Sequence, residues 1–259
     1  MAIYIFDLDG VIYRGKKVID GAPETLKILR ERGHNLFFLT NDTSKTREGY
    51  VAFLKRMGVQ CVIEEIMTAA YATAIYFERN NILNTSAFVI GGKGLKEELK
   101  NVCVEIIENS DCKKKVDYVI VGLDKTFNYK KLVSAQQLIL SGANFIATNN
   151  DFLSPKENLF LPGAGTLVSA IQSATGCSPI ILGKPEIFTL ELILNGRKDT
   201  GEVILVGDTL QTDILAGNRI GARTVLVLTG VTTFEEAQQA NGIFKPNVIL
   251  KDITKLVSD

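Results

Sequence analysis

The sequence predicts an α/β protein: a doubly wound, Rossmann-like parallel sheet with an inserted α/β domain. Three observations lead to this expectation. Short apolar runs alternate with helix-like segments near both ends of the chain, as in doubly wound parallel sheets. Polar motifs directly follow four of these apolar runs. A long stretch of further strand and helix candidates separates the second motif from the third.

The outer strands are predicted from runs that are brief, apolar and often β-branched, as buried parallel strands are. These runs are Ile3–Phe6, Leu36–Leu39, Ile180–Leu182, Val203–Val206 and Thr224–Leu228. The segments between them have helical character, and Pro23 suits a first helical turn. The outer helix candidates are Pro23–Arg32, Thr46–Met57, Glu186–Leu194 and Asp213–Arg219.

The middle of the chain contains its own set of candidates. Its predicted strands are Ser86–Ile90, Val104–Ile107, Tyr118–Val121 and Phe145–Ala147. Its predicted helices are Leu95–Lys100, Tyr129–Leu140 and Thr166–Ala174. The local pattern alone leaves open whether this stretch continues one large sheet or forms a separate unit.

Composition excludes several classes of protein. Hydrophobic residues make up 46% and charged residues 22% of the 259 residues, which excludes a disordered chain. The 29 basic residues balance the 29 acidic ones, so the sequence lacks the basic excess of a nucleic-acid-binding protein. We therefore expect no nucleic-acid partner.

Cysteine usage and the start of the chain indicate a compartment. The four cysteines show no C-x-x-C spacing, which argues against a zinc knuckle and fits a reducing environment. Asp7 and Asp9 interrupt the early apolar run, so no signal peptide is expected. We expect a soluble, cytoplasmic protein without a membrane partner.

Four polar motifs follow predicted strands. They are Asp7-Leu8-Asp9-Gly10, Thr40-Asn41, Gly183-Lys184-Pro185, and Gly207-Asp208 with Asp213 five residues after Asp208. Open α/β sheets bind ligands outside the carboxyl ends of their strands. We therefore expect one pocket to contain Asp7, Asp9, Thr40, Lys184, Asp208 and Asp213.

The residue types in this pocket indicate phosphate chemistry. Clustered carboxylates repel one another and need a cation, and oxygen-only ligands suit Mg²⁺. A lysine and a threonine suit phosphate oxygens. Asp7 would be the nucleophile that forms an aspartyl-phosphate. Asp9 could protonate the leaving oxygen and then deprotonate the hydrolytic water.

The four motifs in this order resemble those of the haloacid dehalogenase-like phosphatases. The matching residues are Phe6-Asp7-Leu8-Asp9-Gly10-Val11, Leu39-Thr40-Asn41, Gly183-Lys184-Pro185 and the segment 206–213. The resemblance implies that Asp7 and Asp9 are the catalytic residues. Dehalogenases proper lack the second aspartate of this motif, so Asp9 indicates phosphate chemistry. The phosphate-binding residues it implies are Leu8, Thr40, Asn41 and Lys184. The metal ligands it implies are Asp7, Asp9 (through its carbonyl), Asp208 and, close behind them, Asp213.

Motif spacing predicts the inserted domain. Thr40 and Lys184 lie 144 residues apart, about one hundred more than a single βα step requires. We therefore expect a core formed by residues 1–82 and 179–259, with a cap domain formed by residues 83–178.

A large α/β cap at this position resembles the p-nitrophenyl phosphatase and pyridoxal phosphate phosphatase branch. The cap signatures are Val121-Gly122-Leu123-Asp124, Ala147-Thr148-Asn149-Asn150-Asp151 and Pro162-Gly163-Ala164-Gly165. Asp124, Asn150 and Ser154 are the substrate-loop candidates. Ser154 stands where the pyridoxal phosphate enzymes place a histidine, which argues against that specificity. The resemblance also suggests a homodimer through the cap.

The predicted function is therefore Mg²⁺-dependent hydrolysis of small phosphorylated metabolites and aryl phosphates. One alternative is a phospho-acceptor signalling domain, although such domains are shorter and lack a second aspartate two residues after the acceptor. The other is a phosphotransferase or mutase on the same scaffold, which would require a cap that excludes water.

Overall fold

The computed structural model describes residues 1–82, 84–107, 115–155, 159–195 and 201–258. The strands are β1 (Ile3–Asp7), β2 (Tyr13–Arg14), β3 (Lys17–Val18), β4 (Asn35–Thr40), β5 (Ile66–Thr68), β6 (Ser86–Ile90), β7 (Glu105–Ile107), β8 (Tyr118–Val121), β9 (Asn144–Ala147), β10 (Leu153–Pro155), β11 (Phe160–Pro162), β12 (Ile180–Ile181), β13 (Val203–Gly207), β14 (Arg223–Val227) and β15 (Val248–Leu250). The α-helices are α1 (Ala22–Glu31), α2 (Arg47–Arg56), α3 (Ala69–Arg79), α4 (Lys93–Asn101), α5 (Tyr129–Leu140), α6 (Ala164–Thr175), α7 (Phe188–Leu194), α8 (Leu215–Arg219) and α9 (Phe234–Gln239).

The core sheet contains six of the described strands in the order β15-β14-β13-β1-β4-β5. Every pairing is parallel, and β1 lies between β4 and β13. Successive residues of β1 point to opposite faces, so Phe6 joins one buried apolar cluster and Ile5 joins another. A sheet buried on both faces confirms the predicted doubly wound core.

The cap sheet contains five of the described strands in the order β12-β9-β8-β6-β7, again with parallel pairings. It has its own buried apolar cluster, which includes Phe88, Val119 and Phe145. The middle stretch therefore forms a separate sheet. Leu83, the first residue of the predicted cap, lies outside the described residues, and the proposed domain boundaries stay a prediction.

One strand belongs to a different sheet from the one we expected. The run Ile180–Leu182 was expected in the core, yet Ile180 and Ile181 pair with Ile146 and Ala147 of the cap sheet. The amides of Leu182 and Gly183 continue this pairing, because they donate to the carbonyls of Ala147 and Thr148. Lys184 therefore enters the site from the edge of the cap sheet.

Several elements were not predicted from the sequence, among them β5 and α3. The strand Ile66–Thr68 has only three residues, and α3 has six buried residues, four of them alanine, which leaves little amphipathic contrast. Thr68 ends the strand and also begins the helix, because its hydroxyl accepts a hydrogen bond from the Tyr71 amide at 3.0 Å. Among the described residues, no helix combines the length and the apolar character needed to cross a membrane.

Candidate active site

The predicted site residues meet at the carboxyl ends of the core strands. Asp7 ends β1, Thr40 ends β4, and Asp208 directly follows β13. Together with Lys184 and two loops of the cap sheet they line a cavity of about 430 Å³. The lining residues from the four motifs are Asp7, Asp9, Thr40, Asn41, Lys184, Pro185, Asp208 and Asp213.

Lys184 is a buried cation between two carboxylates. Its Nζ lies 2.5 Å from Asp7 Oδ1 and 2.5 Å from Asp213 Oδ1. Burial alone would lower the pKa of Lys184, but Asp213 and Asp7 outweigh it and raise the pKa above its usual value. Lys184 therefore stays charged and can neutralise negative charge beside Asp7.

Asp213 anchors the loop after β13. Residues Leu210–Ile214 form one π-helical turn before α8, and this turn directs Asp213 back towards the strand end. Its Oδ2 accepts hydrogen bonds from the amides of Asp208 and Thr209, each at 3.1 Å, while Oδ1 contacts Lys184. Both oxygens of Asp213 are thus engaged by protein groups.

Asp208 lies in a close-fitting backbone cradle. Its Oδ2 accepts from the Val231 amide at 2.7 Å, and its Oδ1 accepts from the Thr209 hydroxyl at 3.0 Å. Gly10 and Gly230 approach the same carboxylate so closely that neither position has room for a side chain. These contacts fix the carboxylate beside Asp7.

The carboxylates of Asp7, Asp208 and Asp213 form a candidate cation site, with oxygens within 4.8 Å of one another. Burial raises the pKa of Asp7 to about 7 even though Lys184 acts in the opposite direction. Burial, followed by the charges of Asp213 and Asp7, raises the pKa of Asp208. A bound cation would relieve this repulsion, and an all-oxygen donor set fits Mg²⁺. Asp213 accepts from two backbone amides and from the Lys184 ammonium, whereas Asp208 accepts from two neutral donors and Asp7 contacts Lys184 through one oxygen. Asp7 and Asp208 are therefore the stronger ligand candidates.

The rest of the first two motifs surrounds Asp7. Asp9 lines the cavity and accepts a hydrogen bond from the Gly15 amide at 3.3 Å, but its carboxylate lies outside the three-carboxylate cluster. The Leu8 side chain is fully buried in the apolar core, so only its backbone could contact phosphate. Thr40 is 3% exposed, and its hydroxyl accepts from the Asp42 amide at 3.1 Å.

The side-chain amide of Asn41 contacts protein groups. Its Oδ1 accepts from the Lys184 amide, and its Nδ2 donates to the Lys184 carbonyl, both at 2.9 Å. Nδ2 also donates to Asp151 Oδ2 at 3.0 Å. Any contact of Asn41 with phosphate would therefore come from its backbone amide.

Two further residues, Asn149 and Asp151, were absent from the predicted site. Asn149 Nδ2 donates to the Asn41 carbonyl at 2.8 Å, and Asp151 lines the cavity. Both belong to the signature Thr148-Asn149-Asn150-Asp151, which could have indicated them. Only the folded chain shows that this signature faces Asn41.

The three cap candidates have different surroundings. Asn150 and Ser154 line the cavity, as do the half-exposed Phe152 and Leu153. Asp124 does not line it: its carboxylate pairs with Lys131 Nζ at 2.6 Å and accepts from the Thr126 amide at 2.8 Å. These contacts give Asp124 a role in the turn that precedes α5.

Comparison with known proteins gives consistent matches across the chain. The haloacid dehalogenase-like hydrolase family matches residues 4–105, and a HAD-hydrolase-like family matches residues 181–256. The acid sugar phosphatase of Staphylococcus haemolyticus is 36% identical over 257 residues, which cover 99% of this chain and 95% of that protein.

Solved structures show the same similarity. The 4-nitrophenylphosphatase of Thermotoga maritima superposes with a TM-score of 0.88 and 31% identity, covering 99% of this chain and 96% of that one. A glycerol phosphate phosphatase of Mycobacterium tuberculosis, in complex with magnesium, has a TM-score of 0.88 and 29% identity. That match covers 98% of this chain and 75% of the other, which has also been solved with calcium.

Proposed function

This chain belongs to the haloacid dehalogenase-like hydrolases, in their p-nitrophenyl phosphatase branch, and is a phosphoric monoester hydrolase; from that membership we propose that it cleaves small sugar and polyol phosphates, and aryl phosphates, by Mg²⁺-dependent catalysis through an aspartyl-phosphate. The observation that carries the proposal is the position of the Lys184 ammonium, 2.5 Å from Asp7 and enclosed by the carboxylate cluster.

In the first step, Asp7 attacks the phosphorus atom and the bond from phosphorus to the ester oxygen breaks. Lys184 and Thr40 line the cavity that would hold the transferring group, and Lys184 balances the charge that builds up beside Asp7. Asp9, on the same turn of chain, donates a proton to the leaving alkoxide. Bound Mg²⁺ would supply further charge neutralisation, held by Asp7, Asp208 and the Asp9 carbonyl.

In the second step, Asp9 accepts a proton from a water molecule that attacks the phosphorus of the aspartyl-phosphate. The Asp7 carboxylate leaves, and inorganic phosphate is released. Asp9 thus acts first as acid and then as base, which its position at the cavity wall and outside the three-carboxylate cluster permits.

The deciding experiment measures phosphate release from glycerol phosphate, hexose phosphates and p-nitrophenyl phosphate, with Mg²⁺ or with excess chelator. We expect turnover only with the metal, and acid quenching with ³²P-labelled substrate should trap label on the wild-type protein but not on Asp7→Asn. Full turnover in chelator would exclude metal dependence. Phosphate transfer to an acceptor without release of free phosphate would favour a phosphotransferase.

A further inference from the structure

We propose that Asp151 is a positioning residue for Lys184, acting from the cap sheet through the side-chain amide of Asn41. The inference deepens the proposed function, because it rests on the role given there to Lys184. Asp151 itself does not contact Lys184 through any hydrogen bond in the described part of the chain. Besides the attraction between their opposite charges, Asp151 can act on Lys184 through Asn41, which contacts both residues.

The first argument concerns the orientation of the Asn41 amide. Its oxygen accepts from the Lys184 amide, and its nitrogen donates to both the Lys184 carbonyl and Asp151 Oδ2. A flipped amide would place its NH₂ group against the Lys184 N–H and its oxygen against a carboxylate, and both contacts would be repulsive. The Asp151 carboxylate therefore strengthens the orientation that the Lys184 N–H and carbonyl also favour, the one in which Asn41 holds the Lys184 backbone.

The second argument concerns the effect of the two hydrogen bonds by which the Asn41 side chain clamps the Lys184 backbone. The Lys184 side chain extends from the clamped residue to Asp7 and Asp213, and both contacts are short. A displacement of about 1 Å in a charged catalytic group can reduce a rate by about 10²-fold. Fixing the Lys184 backbone on both its N–H and its C=O is thus a direct way to keep the ammonium beside Asp7.

The third argument is that stability does not explain Asp151. Its Oδ1 is buried and has no hydrogen-bond partner within the described residues, an arrangement that destabilises a fold. Burial raises the pKa of Asp151 to about 6, which shows that the fold disfavours its charged form. A carboxylate kept under these conditions is better explained by its contact with Asn41.

The loop that carries Asp151 is itself fixed. The Asp151 amide donates to Asn149 Oδ1 at 3.1 Å, and its carbonyl accepts from the Gly165 amide at 2.9 Å. Asn149 makes a second contact with the Asn41 backbone at 2.8 Å. Asn41 is therefore held from the cap sheet at two points, through its backbone and through its side chain.

The test compares Asp151→Ala and Asp151→Asn in the full-length enzyme, with p-nitrophenyl phosphate as substrate and inorganic phosphate as inhibitor. Asp151→Ala should lower kcat/KM by about 10- to 100-fold and weaken phosphate inhibition, while the thermal midpoint stays equal or rises. Asp151→Asn should retain activity to within about threefold, because its carboxamide oxygen still accepts from Asn41.

Asp117→Ala is the control. Asp117 also accepts hydrogen bonds in the cap sheet, from Ser86 and Thr85, but it does not line the cavity. Its substitution should lower stability and leave kcat/KM within about twofold, since it removes hydrogen bonds of ordinary strength away from the site. A fall in kcat/KM without a fall in stability in Asp151→Ala would distinguish a positioning role from structural support.

The last criterion is the energetic coupling between Asn41 and Asp151, measured with the double variant. In an Asn41→Ala background, Asp151→Ala should have little further effect on kcat/KM, because the path to Lys184 is already broken. Additive losses, or a loss in Asp151→Ala that follows a lowered midpoint, would overturn the inference. If Lys184→Ala is inactive while Asp151→Ala is normal, only the positioning role fails. If Lys184→Ala stays active, the proposed function fails as well.

Discussion

Gly230 lies so close to Asp208 that the two residues fit together only because Gly230 has no side chain. A Cβ at Gly230 would lie 1.7 Å from Asp208 Oδ2, and one at Gly10 would lie 2.3 Å from the same oxygen. The Val231 amide, one residue after Gly230, donates to this oxygen at 2.7 Å. The segment after β14 and the turn after β1 therefore enclose the Asp208 carboxylate from two sides.

Gly230→Ala should therefore displace Asp208 and weaken Mg²⁺ binding by at least tenfold, with a parallel loss of phosphatase activity. The reason is steric, because the methyl group would occupy the position of the carboxylate. Isothermal titration with Mg²⁺ measures the effect directly. Gly92→Ala is the control, since a Cβ there meets only ordinary van der Waals contacts. Unchanged Mg²⁺ affinity in Gly230→Ala would show that Asp208 is not a ligand.

The stabilising effect of Mg²⁺ should depend on pH. Burial raises the pKa of Asp7 to about 7, so in the metal-free protein its ionised form is disfavoured by folding. Stability from this group is present below its unfolded pKa, near 4, and is lost as the pH rises to about 7. Mg²⁺ binds the ionised carboxylates, so it should compensate this loss above pH 7 and compete with protons below it.

Thermal unfolding with and without metal tests this dependence. At pH 8, Mg²⁺ at about 100 times its dissociation constant should raise the midpoint by about 5 to 10 °C, and at pH 5 by much less. Asp208→Asn should abolish the metal-induced shift at pH 8. An equal shift at both pH values would mean that the metal binds elsewhere.

Phe152 should influence substrate choice. It lines the cavity from the cap side and is 56% exposed, so its ring is available to an apolar group of the substrate. Phe152→Ala should raise KM for p-nitrophenyl phosphate by about 2- to 10-fold and change KM for glycerol phosphate little, because ring contacts contribute about 0.5–1.5 kcal/mol. Tyr129→Ala, an exposed aromatic change away from the cavity, should affect neither substrate. Equal effects on both substrates would exclude a ring contact.

The sequence predicted the core sheet because β1, β4 and β13 are each an apolar run followed by a polar motif. The same local signal could not assign a sheet to Ile180–Ile181, since a two-residue strand has the same apolar character in either sheet. Pairing partners are fixed by tertiary contacts, here the hydrogen bonds that the amides of Leu182 and Gly183 donate to the carbonyls of Ala147 and Thr148.

Within the candidate site, the motifs predicted which residues lie close together but not which groups each side chain contacts. Asn41 was expected at the phosphate, yet its side chain holds the Lys184 backbone. Asp151 was part of a recognised signature, but nothing in a single sequence shows that it faces Asn41 across 110 residues. Asp124 has the residue type of a ligand contact, and only the position of Lys131 shows it to be engaged in a turn.

The division of roles between Asp7 and Asp9 gives the last prediction. Asp7→Asn should reduce turnover to background, because no aspartyl-phosphate can form. Asp9→Asn keeps the nucleophile and the backbone carbonyl but cannot exchange a proton, so turnover of alkyl phosphates should fall by about 10² to 10⁴-fold.

The aryl substrate separates the two steps in Asp9→Asn. p-Nitrophenolate leaves without protonation, so the first step should be less impaired than with glycerol phosphate, whereas hydrolysis of the aspartyl-phosphate would still lack its base. Rapid-quench kinetics should therefore show a burst of p-nitrophenol followed by slow turnover. Equal losses in the first step on alkyl and aryl substrates would contradict the acid role of Asp9. Steady turnover by Asp7→Asn would contradict the covalent mechanism, because Asp208 and Asp213 are already engaged by Val231, Thr209 and Lys184 and neither is placed to replace Asp7 as nucleophile.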